Sequence, residues 1–295
     1  MEPLTDVAGM PAPVALVLSG GASLGALQVG QLRALAEAGL APDLIVGTSV
    51  GAINGLFMAQ GFTRDRVEAL ASVWCALRKQ DVFGALGLSS ALRLARGGQT
   101  LATSARLEHL LRRELPASQA ELTVHAHVVA VDYLTGEAVL LGDGNPRRNA
   151  LASAAIPNVF PAVDINGRLL VDGGISANVP VLPAARLGAR TIIVLDTGYP
   201  CALARPPAGI VAGILHTMTL TLRSQVHSAL PALARDHFVV YLPAPCPLST
   251  GLHDFSRTPE LISTGYELAR AFLRNLEVRG PGVHGHPHFH QETEA

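Results

Sequence analysis

A serine that attacks carboxylic esters needs its oxygen held clear of the backbone, a base beside it, and donors for the charge that forms on the carbonyl oxygen. Three short segments carry residues of those types. Gly47-Thr48-Ser49-Val50-Gly51 sets a serine between two glycines, the spacing of a turn too sharp for side chains at the flanking positions. The same pattern fits a serine that merely caps a helix. Gly20-Gly21-Ala22-Ser23-Leu24-Gly25 is a run of small residues whose N–H groups can converge on an anion at a helix start. Asp172-Gly173-Gly174 offers a carboxylate on a turn that can approach another loop closely, although Asp-Gly is also a plain turn signal.

Each segment lies where an apolar strand ends. Residues 14–18 and 44–46 read as buried strands running into the first two glycine turns, and residues 26–38 and 52–60 as the helices that follow. Strand, turn, helix, twice over, predicts a parallel sheet. Further along, helices are expected over 64–78, 104–115, 149–155, 210–230 and 259–276. Strands are expected over 124–131, 138–141, 168–171, 191–195 and 238–242. The strand 168–171 ends at Asp172, the chain position a partner base would need.

The glycine run also invites a nucleotide reading, but Ala22 replaces the second glycine of the dinucleotide pattern, and Asp43 precedes the next strand where the ribose-binding acid should end it. The Lys-Ser/Thr ending of a phosphate-binding loop is missing as well. Taken with Ser49, an oxyanion hole fits the run better. Two rival enzymes remain. A Ser-His-Asp triad would draw on His253, which lies in a loop, and its serine turn usually follows several strands. An acyltransferase would want His before the serine, where this chain has Thr48. A catalytically silent lipid- or acyl-binding module is the reading from another class; such a module has no need of both Ser49 and Asp172.

With these residues together, the sequence resembles the patatin-like phospholipase family. The likeness runs through residues 19–25, 47–51, 152–161 (ASAAIPNVFP) and 172–180 (DGGISANVP), in the family's order and approximate spacing. The resemblance implies a three-layer α/β/α sandwich with a mainly parallel central sheet, and a Ser–Asp dyad with no histidine. It puts Ser49 on the nucleophile, Asp172 on the base, and Gly20, Gly21 and Ala22 on the oxyanion loop, supported by Gly25, Gly47, Gly51, Gly173 and Gly174. It also implies lipid carboxylic esters as substrates and no cofactor. One departure stands out. Many members carry Arg or Lys just before the last glycine of the oxyanion loop, where this chain has Leu24.

Composition narrows the partners. The 295 residues are 49% hydrophobic and 15% charged, with a net charge of −1, which supports a sizeable core and excludes a nucleic-acid partner held by phosphate neutralisation. The start lacks the basic and apolar runs of a secretory signal, and no window reaches the roughly 18 apolar residues of a membrane span. A cytoplasmic protein is expected, with peripheral membrane contact open. The stretch 82–98 and the helix 210–230 are candidates for a lid or a membrane-facing surface. Cys75, Cys201 and Cys246 read as buried thiols with no metal spacing. One catalytic domain is expected over 13–278, between a flexible start (1–12) and a disordered tail (279–295). The tail's alternating His284, His286, His288 and His290 suit adventitious metal binding only.

Overall fold

The computed structural model describes residues 6–84, 100–199, 201, 203 and 205–287. Its strands are β1 (Val14–Leu18), β2 (Leu44–Thr48), β3 (His125–Asp132), β4 (Ala138–Leu141), β5 (Val163–Ile165), β6 (Arg168–Asp172), β7 (Thr191–Leu195), β8 (Phe238–Leu242) and β9 (Gly282–Gly285). They form a single sheet in the order β5-β6-β3-β2-β1-β7-β8-β9, with β4 paired to β3. From β3 across to β9 every pairing is parallel; β4, β5 and β6 add antiparallel pairs at one side.

The central strands are apolar at every position because both faces are covered. Leu16 and Leu18 of β1 join one core, Ala15 and Val17 the other. The first core takes α1 (Gly25–Glu37), α2 (Val50–Met58), α3 (Arg64–Ala76), α4 (Lys79–Phe83), α5 (Ala105–Glu114), α6 (Pro146–Ser153) and α10 (Thr258–Arg274). The second takes α8 (Val181–Arg186) and α9 (Ile210–Leu233), while the one-turn α7 (Gly174–Ala177) follows β6. This is the three-layer α/β/α sandwich expected. Helices α1 and α10 cross almost backbone to backbone: a methyl added at Gly30 would lie 2.0 Å from the Ile262 carbonyl oxygen, and one at Gly265 would lie 2.2 Å from that of Leu27.

Two features of the topology position the site. Strand β1 lies between β2 and β7, so the chain leaves it in one direction and later returns on its other side; ligands bind at the crevice such a reversal opens. The second feature is at β3. Ala130 pairs with Val139 of β4 on one side and Asp172 of β6 on the other, while Val128 pairs with Leu141 of β4 and Gly47 of β2. Strands β2 and β6 therefore lie along the same side of β3 and run toward each other. Thr48 is opposite Val129 and Asp172 opposite Ala130, so the two strands end head to head with Ser49 at the junction.

Several expectations need correction. The tail after residue 280 is not structureless throughout: β9 pairs in parallel with β8, because the outer edge of β8 offers unpaired backbone groups and Val283 packs on the second core. The start is not wholly flexible either, since Val7 and Met10 pack into the first core around a short turn at Val7–Gly9. The cysteines are not buried thiols: Cys75 and Cys246 are exposed and Cys201 half-buried. Helix α6 begins earlier than expected because the Asn145 side chain caps it and Pro146 takes its first turn. Most of the expected lid stretch 82–98 lies outside the described residues. Helix α9 is no core helix at its start, where Ile210 is 80% exposed.

Candidate active site

Ser49 directly follows β2 and carries φ of +53°, a conformation non-glycine residues rarely adopt. The flanking glycines make this turn sterically feasible. A side chain at Gly47 would strike the Gly51 carbonyl oxygen at 2.4 Å, and one at Gly51 would strike those of Leu18 and Ser19 at 2.3 and 2.5 Å. The turn is also pinned by a hydrogen-bonded relay. The Ser49 N–H donates to Ser153 Oγ (2.9 Å), and Ser153 Oγ donates to the Val129 carbonyl (2.6 Å). Ser49 is 9% exposed and opens on the start of α2, whose positive end faces the same space.

Ser49 Oγ donates to Asp172 Oδ2 at 2.7 Å. The other oxygen, Oδ1, accepts the Gly174 N–H at 2.8 Å, and the Asp172 backbone N–H is held by the Ala155 carbonyl. Gly173 is obligatory here, since a methyl would lie 2.1 Å from the Val129 carbonyl oxygen. Burial pushes the Asp172 carboxyl up to about 6, against the two hydrogen bonds, which favour the ionised form. A base in that range is ionised at neutral pH yet stronger than an ordinary aspartate.

The glycine run passes beside this pair. A methyl at Gly20 would lie 2.4 Å from Asn178 Oδ1 and 3.3 Å from Ser49 Cβ; one at Gly21 would lie 2.2 Å from Thr197 Oγ1. The Gly20 N–H is committed to the Asn178 carbonyl at 3.0 Å. Among the described residues, the Gly21 and Ala22 N–H groups have no acceptor, so the donors of this loop reduce to those two. Ser23 is tied to the loop after β8 through its N–H to the Leu252 carbonyl and its Oγ to the Gly251 carbonyl. Leu24 is fully buried, so apolar packing anchors the loop at this position. Beneath it, buried amides link three helices: Trp74 Nε1 donates to Asn54 Oδ1, and Asn54 Nδ2 to Gln28 Oε1. Gln28 Nε2 in turn donates to the Ser19 and Leu195 carbonyls.

Two cavities meet at Ser49. The smaller is lined by Gly20, Gly21, Ala22, Asp172 and Asn178 among others. The other, of about 80 Å³, extends between α2, α3, α4 and α5, with Val73, Trp74, Phe83, Leu107 and Phe160 in its wall. Its lining side chains are apolar apart from Ser49, Asn54 and Glu114, and its volume is several times what one water needs. Ser49, Ala22 and Ile156 belong to both. His253, the triad candidate, lines neither. Among the described residues, no cluster of His, Cys, Asp and Glu could hold a metal ion.

The description "Patatin-like phospholipase" fits residues 16–185, more than half of the chain, as a family model. The chain belongs to this family. It is 30% identical over 188 residues to patatin-like phospholipase domain-containing protein 7 of Rattus norvegicus, which is 63% of this chain and 14% of that protein. It is 31% identical over 195 residues to an uncharacterized NTE family protein of Mycobacterium bovis, covering 64% of this chain and 51% of the relative. The chain thus spans a small part of the animal relative and about half of the mycobacterial one. Among solved structures it is similar to VipD from Legionella pneumophila (TM-score 0.46, 15% identity, 90% of this chain and 67% of that one). It is also similar to human GIVD cytosolic phospholipase A2 bound to methyl gamma-linolenyl fluorophosphonate (TM-score 0.46, 14% identity, 88% and 58%).

Ser49, Asp172 and the glycine run at 20–25 lie within the matched residues 16–185, and three further residues that hold them were not assigned a role from sequence. Ser153 and Asn178 lie inside the segments ASAAIPNVFP and DGGISANVP, but nothing in their type or spacing says that one pins the serine turn and the other braces Gly20. Thr197, whose Oγ1 donates to the Gly20 carbonyl at 2.9 Å, follows β7 with no local signal at all.

Proposed function

We propose that this patatin-like chain is a serine acyl hydrolase that cleaves carboxylic esters of lipids through Ser49 and Asp172. The observation that carries the reading is the direct 2.7 Å hydrogen bond from Ser49 Oγ to the buried Asp172 carboxylate, beside an apolar cavity. Ser49 Oγ attacks the ester carbonyl carbon while its proton passes to Asp172 Oδ2. The negative charge on the carbonyl oxygen is met by the Gly21 and Ala22 N–H groups, already in place before reaction. Collapse expels the alkoxide, which takes the proton from Asp172 and leaves as the alcohol. Water then attacks the acyl-enzyme, gives its proton to Asp172, and the acid departs as Ser49 recovers the proton.

No histidine is needed because the base touches the nucleophile directly and burial has raised its basicity. No metal or cofactor enters the scheme. The apolar cavity beside Ser49 would hold the acyl chain. Ile175, Ile210 and Leu220 are exposed, and the first two flank a groove shared with Leu222, which also lines the small cavity at Ser49. Among the described residues no helix is long and apolar enough to cross a membrane; contact with a lipid surface would run through this groove. A catalytically silent lipid-binding module or an acyltransferase is the alternative. Fluorophosphonate labelling separates them: a stable adduct mapped by mass spectrometry to Ser49, absent in Ser49→Ala, supports the enzyme. No adduct on the folded wild type would favour the silent module. An adduct on Ser49 together with acyl transfer to an added alcohol in preference to water would favour the transferase.

A further inference from the structure

Cys201 and Cys246 lie 45 residues apart, yet their sulfurs approach to 3.7 Å. Cys201 follows β7 and Cys246 follows β8, two parallel neighbours, so both sit at the end of the sheet where Ser49 lies. Each belongs to a loop that braces the oxyanion run. The loop after β7 supplies Thr197, whose N–H donates to Ser19 Oγ and whose Oγ1 donates to the Gly20 carbonyl. The loop after β8 supplies Gly251 and Leu252, whose carbonyls hold Ser23. Cys246 is exposed and Cys201 half-buried, so a small reagent can reach the pair.

We infer that Cys201 and Cys246 form a reversible disulfide that staples together the two loops bracing the oxyanion run. The thiolate is the reacting form of a cysteine. Cys201 Sγ accepts the Leu248 N–H at 3.2 Å, which holds that sulfur facing Cys246, while partial desolvation and the neighbouring Cys201 push the Cys246 thiol up. The oxidant is a low-molecular-weight disulfide such as oxidised glutathione. One cysteine thiolate attacks it, forming a mixed disulfide and expelling one small thiolate. The second cysteine then attacks the protein sulfur of that mixed disulfide, closing the Cys201–Cys246 bond and expelling the second small thiolate. The protein loses two electrons and two protons, and the small disulfide leaves as two thiols. The sulfurs must move closer by over an ångström to reach bonding distance, roughly 2.05 Å. The ring closed by the bond contains α9 and β8, so the unfolded chain loses freedom over a long loop.

The test equilibrates the full chain in glutathione buffers of increasing oxidation, then maps cysteines by mass spectrometry without reduction and measures Tm. The expected result is a Cys201–Cys246 cross-link that dithiothreitol reverses, with a rise in Tm of roughly 5 °C. Cys201→Ser and Cys246→Ser should each lose the cross-link and the rise, while Cys75→Ser keeps both. Separate glutathione adducts on Cys201 and Cys246 without a cross-link would overturn the inference. So would a cross-link that leaves Tm unmoved, or a Tm rise that survives in Cys246→Ser.

Discussion

Replacing Asp172 by Asn should abolish turnover and, above pH 6, make the protein more stable. The carboxyl is raised from 3.8 to about 6 by burial, a shift of about two units, and each unit is worth about 1.4 kcal/mol. The sign follows from proton counting. Between the unfolded and folded values the native state binds more protons than the unfolded chain, so stability falls as pH rises through that window. By neutral pH the ionised, buried Asp172 has cost the wild type about 3 kcal/mol relative to acid conditions. An asparagine carries no such charge and can keep both contacts, with Oδ1 accepting the Gly174 N–H and Nδ2 facing Ser49 Oγ. With an unfolding entropy of about 2.1 cal/mol/K per residue, the difference in Tm between Asp172→Asn and wild type should grow by roughly 5 °C from pH 4 to pH 8. Differential scanning calorimetry at matched ionic strength reads it directly. A Tm difference that is flat across that range, or that shrinks toward alkaline pH, would refute the claim that a buried, desolvated carboxylate sits beside Ser49. Ser49→Ala removes a hydrogen bond to the ionised form, so its stability decline should begin in the same pH range and extend to higher pH than in the wild type.

Further outcomes follow from the same contacts. Ser153→Ala strands the Ser49 N–H and the Val129 carbonyl; stability should drop by about 2–4 kcal/mol, and kcat by at least roughly tenfold as the serine turn drifts, read by urea unfolding and a short-chain ester assay. Gly265→Ala puts a methyl against the Leu27 carbonyl oxygen and should destabilise by about 1–3 kcal/mol, with calorimetry as the check and an unchanged Tm as the contrary result. Leu107→Trp fills the apolar cavity from α5. It should shift the preferred acyl chain shorter while leaving acetate ester turnover within about twofold; an unmoved chain-length profile would mean that the acyl chain lies elsewhere.

What could be read from the sequence was local. The buried strands 14–18, 191–195 and 238–242 stand where their apolar runs place them, because a strand covered on both faces has no polar positions to obscure it. The glycines at 47, 51 and 173 point to the turns because each excludes a side chain by contact with backbone. Long-range facts were not legible. That β2 and β6 run head to head along β3 depends on a register set by β4 on the opposite side, and no residue within either strand announces it. The commitment of the Gly20 N–H to Asn178 is likewise a tertiary contact between segments over a hundred residues apart. Gly30 and Gly265 look like weak points of helices until α1 and α10 are seen to cross there. Strand β9 was hidden because a run of Gly, Val and His has little propensity of its own and gains its order from the edge of β8.

The central claim is that Ser49 and Asp172 act as a directly bonded nucleophile and base. Its most direct test is hydrolysis of p-nitrophenyl esters of increasing chain length by the wild type, Ser49→Ala and Asp172→Asn, each confirmed folded, across pH 4.5 to 8.5. The dyad predicts wild-type kcat/KM rising with pH through about 6 and levelling above it, with both variants at background throughout. Turnover in folded Asp172→Asn well above background, or a wild-type profile flat across pH 6, would contradict it.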